Sequence, residues 1–74
     1  MKKETQNSTA LRSKIWITEA LLSLMEEKEF NKITITEIIK KADLTRQTFY
    51  RNFNTKEEVL HEYVKKLYKT VLMK

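Results

Sequence analysis

Thr34-Ile35-Thr36-Glu37-Ile38-Ile39-Lys40-Lys41-Ala42-Asp43-Leu44-Thr45-Arg46-Gln47-Thr48-Phe49-Tyr50-Arg51-Asn52-Phe53 is the stretch on which the fold turns. It opens on a capping box. Thr34 is placed to accept from the third amide of a helix, and Glu37 to reach back to the Thr34 amide. Ile35, Ile38, Ile39 and Ala42 then share one helical face, while Thr36, Lys40 and Lys41 point away from it. Asp43 has to turn the chain, and Leu44 plugs the core beside the turn. Thr45 is a second N-cap residue, and the short helix it starts runs to about Asn52. With Phe49 set inward, Gln47 and Arg51 lie roughly opposite it, Thr48 and Tyr50 flank them, and Arg46 sits nearer the inner edge. Phe53 closes the core after that helix. Two short helices joined by a tight turn, the second polar outward, describe a helix-turn-helix over residues 34–52.

Helical periodicity extends to both sides. The first helix is predicted from Ser8 or Thr9 to about Glu29, with Trp16, Ile17, Ala20, Leu21, Leu24 and Met25 on one broad apolar face. Leu11, Ile15, Thr18 and Leu22 fall on its other side, so this helix suits a central place with partners on two faces. Asn31 is expected to adopt the left-handed conformation that ends it. A last helix begins at about residue 55, capped by Asn54 or Thr55, with Glu58 three positions beyond Thr55. Its main stripe is expected to be Leu60, Val64, Leu67 and Val71, with Tyr63 and Tyr68 at the margins. The chain contains no Gly and no Pro, and the expected fold class is all-α: a small bundle of about four helices. Residues 1–8 read as a polar, flexible tail and residues 9–74 as one domain.

Composition narrows the chemistry. In 74 residues there are 15 Lys and Arg against 10 Asp and Glu, for a formal charge of +5. Residues 32–56 carry Lys32, Lys40, Lys41, Arg46, Arg51 and Lys56 against Glu37 and Asp43, so +4 of that charge lies in the middle of the chain. A positive field of this kind attracts polyanions. With no Cys there is neither a disulfide framework nor a thiol nucleophile. Without Gly there is no phosphate-cradling loop, and His61 alone makes no paired-histidine zinc site. No nucleophile–base pair, metal cluster or cofactor loop is present, so neither an enzyme, a metal nor a cofactor is expected. No apolar run is long enough to span a bilayer, so a membrane is not an expected partner.

The outward residues of the short helix suit duplex DNA. Arg can make a bidentate contact to guanine, Gln to adenine, and a Thr methyl can touch the thymine methyl. Hydroxyls and lysines hold phosphates and so fix register. The segment Phe30–Glu57 also resembles the DNA-binding domain of TetR-family transcriptional regulators, a homeodomain-like helix-turn-helix. The likeness rests on the Thr-x-x-x-Ile stretch of the second helix, then Thr48-Phe49-Tyr50-x-x-Phe53, then Lys56-Glu57. Ile17, Ala20, Leu24 and Met25 carry it back to about residue 12.

That resemblance implies roles residue by residue. Thr36 lies where the second helix approaches the groove. Thr45, Arg46, Gln47 and Thr48 match the N-terminal part of the recognition helix. Tyr50 matches an aromatic residue that contacts backbone phosphate, with Arg51 and Asn52 beside it, and Lys56 matches a phosphate-contacting lysine. Two positions depart from the family pattern, since Gly is usual where Asp43 stands and frequent at Glu29. Family members normally continue into a larger helical domain that binds an effector and dimerises the protein, and that domain is absent from these 74 residues. The implied activity is sequence-specific binding of double-stranded DNA by a bacterial regulator, more often a repressor, acting in the cytoplasm on the nucleoid. A full-length regulator would bind a palindromic operator as a homodimer, whereas this chain alone is expected to be monomeric. The alternative reading is a small helical protein–protein interaction module, with the third helix and the Leu11–Ile15–Leu22 stripe docking a partner.

Overall fold

A computed structural model describes the backbone of residues 6–72 and the side chains of residues 12–69. Its helices are α1 (Gln6–Met25), α2 (Ile35–Ala42), α3 (Arg46–Asn52) and α4 (Lys56–Leu72), with a 3-10 turn at Phe30–Lys32 between the first two. Among the described residues there is no strand. The all-α helix-turn-helix bundle expected from periodicity is the architecture found. α1 is the central element: α2, α3 and α4 all pack on it, and α2 also packs on α3.

The core is built where the apolar faces of these elements meet. Ile17, Ala20, Leu21 and Leu24 of α1 enclose Ile33, Ile38, Ile39, Phe49, Phe53 and Val59, all of them buried. Burying a side chain such as Phe49 or Ile38 contributes about 1.5–3 kcal/mol each. Phe49 is fully buried in this cluster, with the Tyr50 ring edge-on at 5.3 Å between centroids and the Phe53 ring at 6.0 Å.

Caps set the helix boundaries. Thr34 Oγ1 accepts from the Glu37 amide at 3.1 Å, and Glu37 Oε1 accepts from the Thr34 amide at 3.0 Å, completing the capping box. Thr45 Oγ1 accepts from the Thr48 amide at 3.1 Å. α4 shares its cap between two residues. Thr55 Oγ1 accepts from the Glu58 amide at 3.1 Å, while Glu58 Oε1 accepts from the Asn54 amide at 2.8 Å. Asp43, just past α2, is left-handed at φ 60°, and the Leu44 amide donates to the Ile39 carbonyl at 2.9 Å. This is the closed ending of a Schellman motif, with Asp where Gly is usual and Leu44 folded onto the core.

Five expectations are corrected. α1 ends at Met25 rather than near Glu29, because the Glu26 and Glu27 amides turn back to the carbonyls of Ser23 and Leu24. Carboxylates at a helix C-terminus also oppose the helix dipole. Asn31 is not the left-handed residue; it lies inside the 3-10 turn, and Asp43 is the only described non-glycine residue with positive φ. Trp16 is 44% exposed rather than core. One step of about 100° from Ile17 carries it past the edge of the α1 stripe, beside Ala42 and Asp43. On α4, Val59 is the fully buried residue, while Val64 and Leu67 of the expected stripe are 51% and 48% exposed. α4 packs on α1, and α2 and α3, about 12 and 10 Å long, leave its Val64 and Leu67 uncovered. The side chains of Leu11 and Val71 fall outside the described residues. Of the expected flexible tail, residues 6–8 belong to α1 and residues 1–5 are not described.

Candidate nucleic-acid interface

The two short helices meet across the three-residue turn Asp43-Leu44-Thr45. Their apolar sides, Ile38, Ile39 and Phe49, are spent on the core. What remains outward is polar and basic: Thr36, Lys40 and Lys41 on α2, then Arg46, Gln47, Tyr50 and Arg51 on α3, all exposed. Tyr50 is 47% exposed, and its ring meets that of Phe49 in an edge-to-face contact. With Phe49 fully buried at its centre, this seven-residue helix presents Arg46, Gln47, Tyr50 and Arg51 outward.

Several of these side chains are already tied together. The Arg46 guanidinium donates to Thr36 Oγ1, joining the start of α3 to the first turn of α2. Thr45 caps α3, and its hydroxyl lies 3.0 Å from that of half-buried Thr48. Asn52 is half-buried, and its Nδ2 donates to the Thr48 carbonyl at 3.0 Å. Thr45, Thr48 and Asn52 therefore hold the shape of α3, whereas Gln47, Tyr50 and Arg51 keep polar groups facing out.

Lys56, which the resemblance places at a phosphate, has partners within the protein. It is half-buried, and its Nζ donates to the carbonyls of Phe30 at 2.7 Å and Ile33 at 2.8 Å. The same ammonium stands 4.6 Å from the centroid of the Phe30 ring. Two of its three N–H donors are thus committed inside the protein.

The acidic residues of this region are treated unequally. Lys28 Nζ donates to Glu37 Oε2 at 2.5 Å. That bond first, and the Thr34 amide second, hold the Glu37 carboxyl below the ordinary glutamate range. No spacing in the sequence marks Lys28 as the partner of Glu37, nine residues away across a loop and a capping residue. The pairing leaves Asp43 as the exposed carboxylate closest to the turn. Lys14, Ile15, Leu22, Phe53, Glu62 and Tyr63 line a groove of about 580 Å³ between α1 and α4. Lys14 there stands over the Phe53 ring at 5.5 Å and pairs with Glu62 at 3.6 Å. Among the described residues no group of three His, Cys, Asp or Glu could hold a metal ion. None of the described helices is long and apolar enough to cross a membrane.

The family model described as "Bacterial regulatory proteins, tetR family" matches residues 17–63, from the middle of α1 into α4, and so includes the whole helix-turn-helix. The chain is 36% identical over 44 residues to the HTH-type dhaKLM operon transcriptional activator DhaS of Lactococcus lactis subsp. lactis (strain IL1403). That match covers 60% of this chain and 24% of the relative, so the chain spans about a quarter of that protein's length. No solved structure matches.

Proposed function

The chain belongs to the tetR family of bacterial regulatory proteins, a DNA-binding regulator domain, and from that premise we propose that it reads a specific duplex operator through α3. The carrying observation is the division of one short helix into a fully buried Phe49 and an exposed set of Arg46, Gln47, Tyr50 and Arg51. Arg46 and Gln47 at the start of α3 supply base-edge contacts, and Tyr50 and Arg51 supply phosphate contacts. Thr36 steadies Arg46 from α2. Thr45, Thr48 and Asn52 act by shaping the helix, with the Thr45 and Thr48 hydroxyls at its groove-facing end.

A seven-residue recognition helix spans only a few base pairs, so a full-length regulator pairs two half-sites as a homodimer on a palindromic operator. The 74-residue chain alone is a monomer that binds a single half-site weakly. It acts in the cytoplasm, on the nucleoid. The proposed direction of control is repression, because occupancy of an operator excludes other proteins without any further contact. The similar Lactococcus lactis protein is named an activator, and a reporter gene placed behind the selected operator distinguishes the two.

The test is selection of bound duplexes from a random pool, followed by titration across a several-fold range of salt. A common half-site should emerge, and log affinity should fall linearly with log salt, since each neutralised phosphate releases counterions. An unenriched pool, or affinity indifferent to salt, would count against DNA reading and leave the protein-interaction reading standing.

A further inference from the structure

Resting on the DNA-binding reading, we propose that Lys56 is a positioning residue: it sets the angle at which the helix-turn-helix is presented, rather than holding a phosphate. Three observations meet at one atom. Lys56 is the first residue of α4, yet its side chain leaves that helix and reaches the segment that leads into α2. Its Nζ bonds the Phe30 carbonyl, the acceptor for the Ile33 amide in the 3-10 turn, and the Ile33 carbonyl, one residue before the Thr34 cap. The ring of Phe30 packs under the same ammonium. These partners lie 26 and 23 residues away in sequence.

The consequence follows from the packing. α2 and α3 grip each other, and each grips α1, as does α4. The Lys56 ammonium is the polar tie between the start of α4 and the entrance to α2. Bonds from a charged donor are shorter and stronger than neutral ones, and half-burial shields this one from competing water. With two donors facing inward, one N–H remains, and a phosphate would have to compete with two carbonyls and a ring already in place. Rotation of α2 and α3 about α1 would break both bonds at once. An unfixed angle penalises base contacts, which need an exact fit, far more than phosphate contacts, which tolerate displacement.

The experiment uses the full chain and the duplex selected by it, with a scrambled duplex alongside, well below the melting temperature. Lys56→Met keeps the aliphatic stem and removes the ammonium. It should lose affinity for the selected duplex by about tenfold, or ~1.4 kcal/mol, while scrambled binding and the salt slope stay unchanged. Lys56→Arg, which restores charge and donors, should recover most of the discrimination. Equal losses on both duplexes with a salt slope shallower by about one would make Lys56 a phosphate ligand and overturn the proposal, as would no change on either. Should Lys56→Met not fold, the lysine ammonium signals in a nitrogen–proton spectrum of the unsubstituted chain answer the same question. The Lys56 signal should be protected from exchange in the free chain and show no coupling to phosphorus when duplex is added. A phosphorus coupling at Lys56, or an unprotected ammonium in the free chain, refutes it. If the unsubstituted chain selects no duplex, it is the DNA-binding reading that fails, and the free-chain spectrum still reports on the tie.

Discussion

At the scale of single residues, Gln47 and Tyr50 separate reading from positioning. Gln47 lies almost opposite Phe49, exposed on α3, while Tyr50 leans its ring on Phe49 and is itself exposed. Gln47→Ala should weaken the selected duplex by about 1–3 kcal/mol and leave a scrambled duplex nearly unchanged. Tyr50→Phe keeps the ring packing and deletes one hydrogen bond, so both duplexes should lose about 1 kcal/mol. Paired titrations at one salt concentration check this, and the opposite pattern would mean that α3 sits differently in the groove. Asp43 offers a second residue-scale prediction. At φ 60° it holds a conformation that disfavours a Cβ. Asp43→Gly should raise stability by up to ~1 kcal/mol, and the β-branched Asp43→Val should lower it by about 1–2 kcal/mol. Urea denaturation measures both. The turn at Asp43 was legible from sequence because only a residue that tolerates positive φ could stand between two capped helices. The Lys56 contacts were not legible, because partners 26 and 23 residues away leave no local pattern.

At the scale of elements, stability comes from how each helix begins and ends. Thr34→Ala removes the acceptor for the Glu37 amide and should cost about 1 kcal/mol, seen as a lower urea midpoint. Glu37 adds a pH dependence to the same cap. Its carboxyl titrates below the ordinary range, chiefly through the bond from Lys28. A lowered folded-state pKa stabilises the fold fully above the unfolded value of about 4.3 and ceases to do so as pH falls through the folded value. Acid should therefore erode stability below about pH 4.3, and Glu37→Gln should flatten that part of the profile while leaving its slope near neutrality alone. Thermal melts between neutral pH and the acid range test this, and an unchanged acid limb in Glu37→Gln would show that the Lys28 pair contributes nothing. The cap was readable from the Thr-x-x-Glu spacing. Its partner Lys28 was not, since only the turn after Met25 brings that lysine back to the start of α2.

At the scale of the whole molecule, a chain this short has little stability to lose, of the order of 4–11 kcal/mol. Phe49 is fully buried at the junction of α1, α2 and α3, so Phe49→Ala should cost about 3–5 kcal/mol. The variant should show a marked loss of helical signal at physiological temperature, and a cooperative melt near that of the parent would contradict the core assignment. The same wholeness explains what the sequence alone determined. Helix number, the caps at Thr34 and Thr45, the turn at Asp43 and the outward set on α3 all arise from spacings of three and four residues, which act within one helical turn. Tertiary structure decided the rest. It exposed Trp16, moved the buried position on α4 from Val64 and Leu67 to Val59, and turned Lys56 inward. Periodicity tells which residues share a face, but burial depends on whether another element is long enough, and placed, to lie opposite that face. For α4 and for the edge of α1, only the assembled bundle supplies that answer.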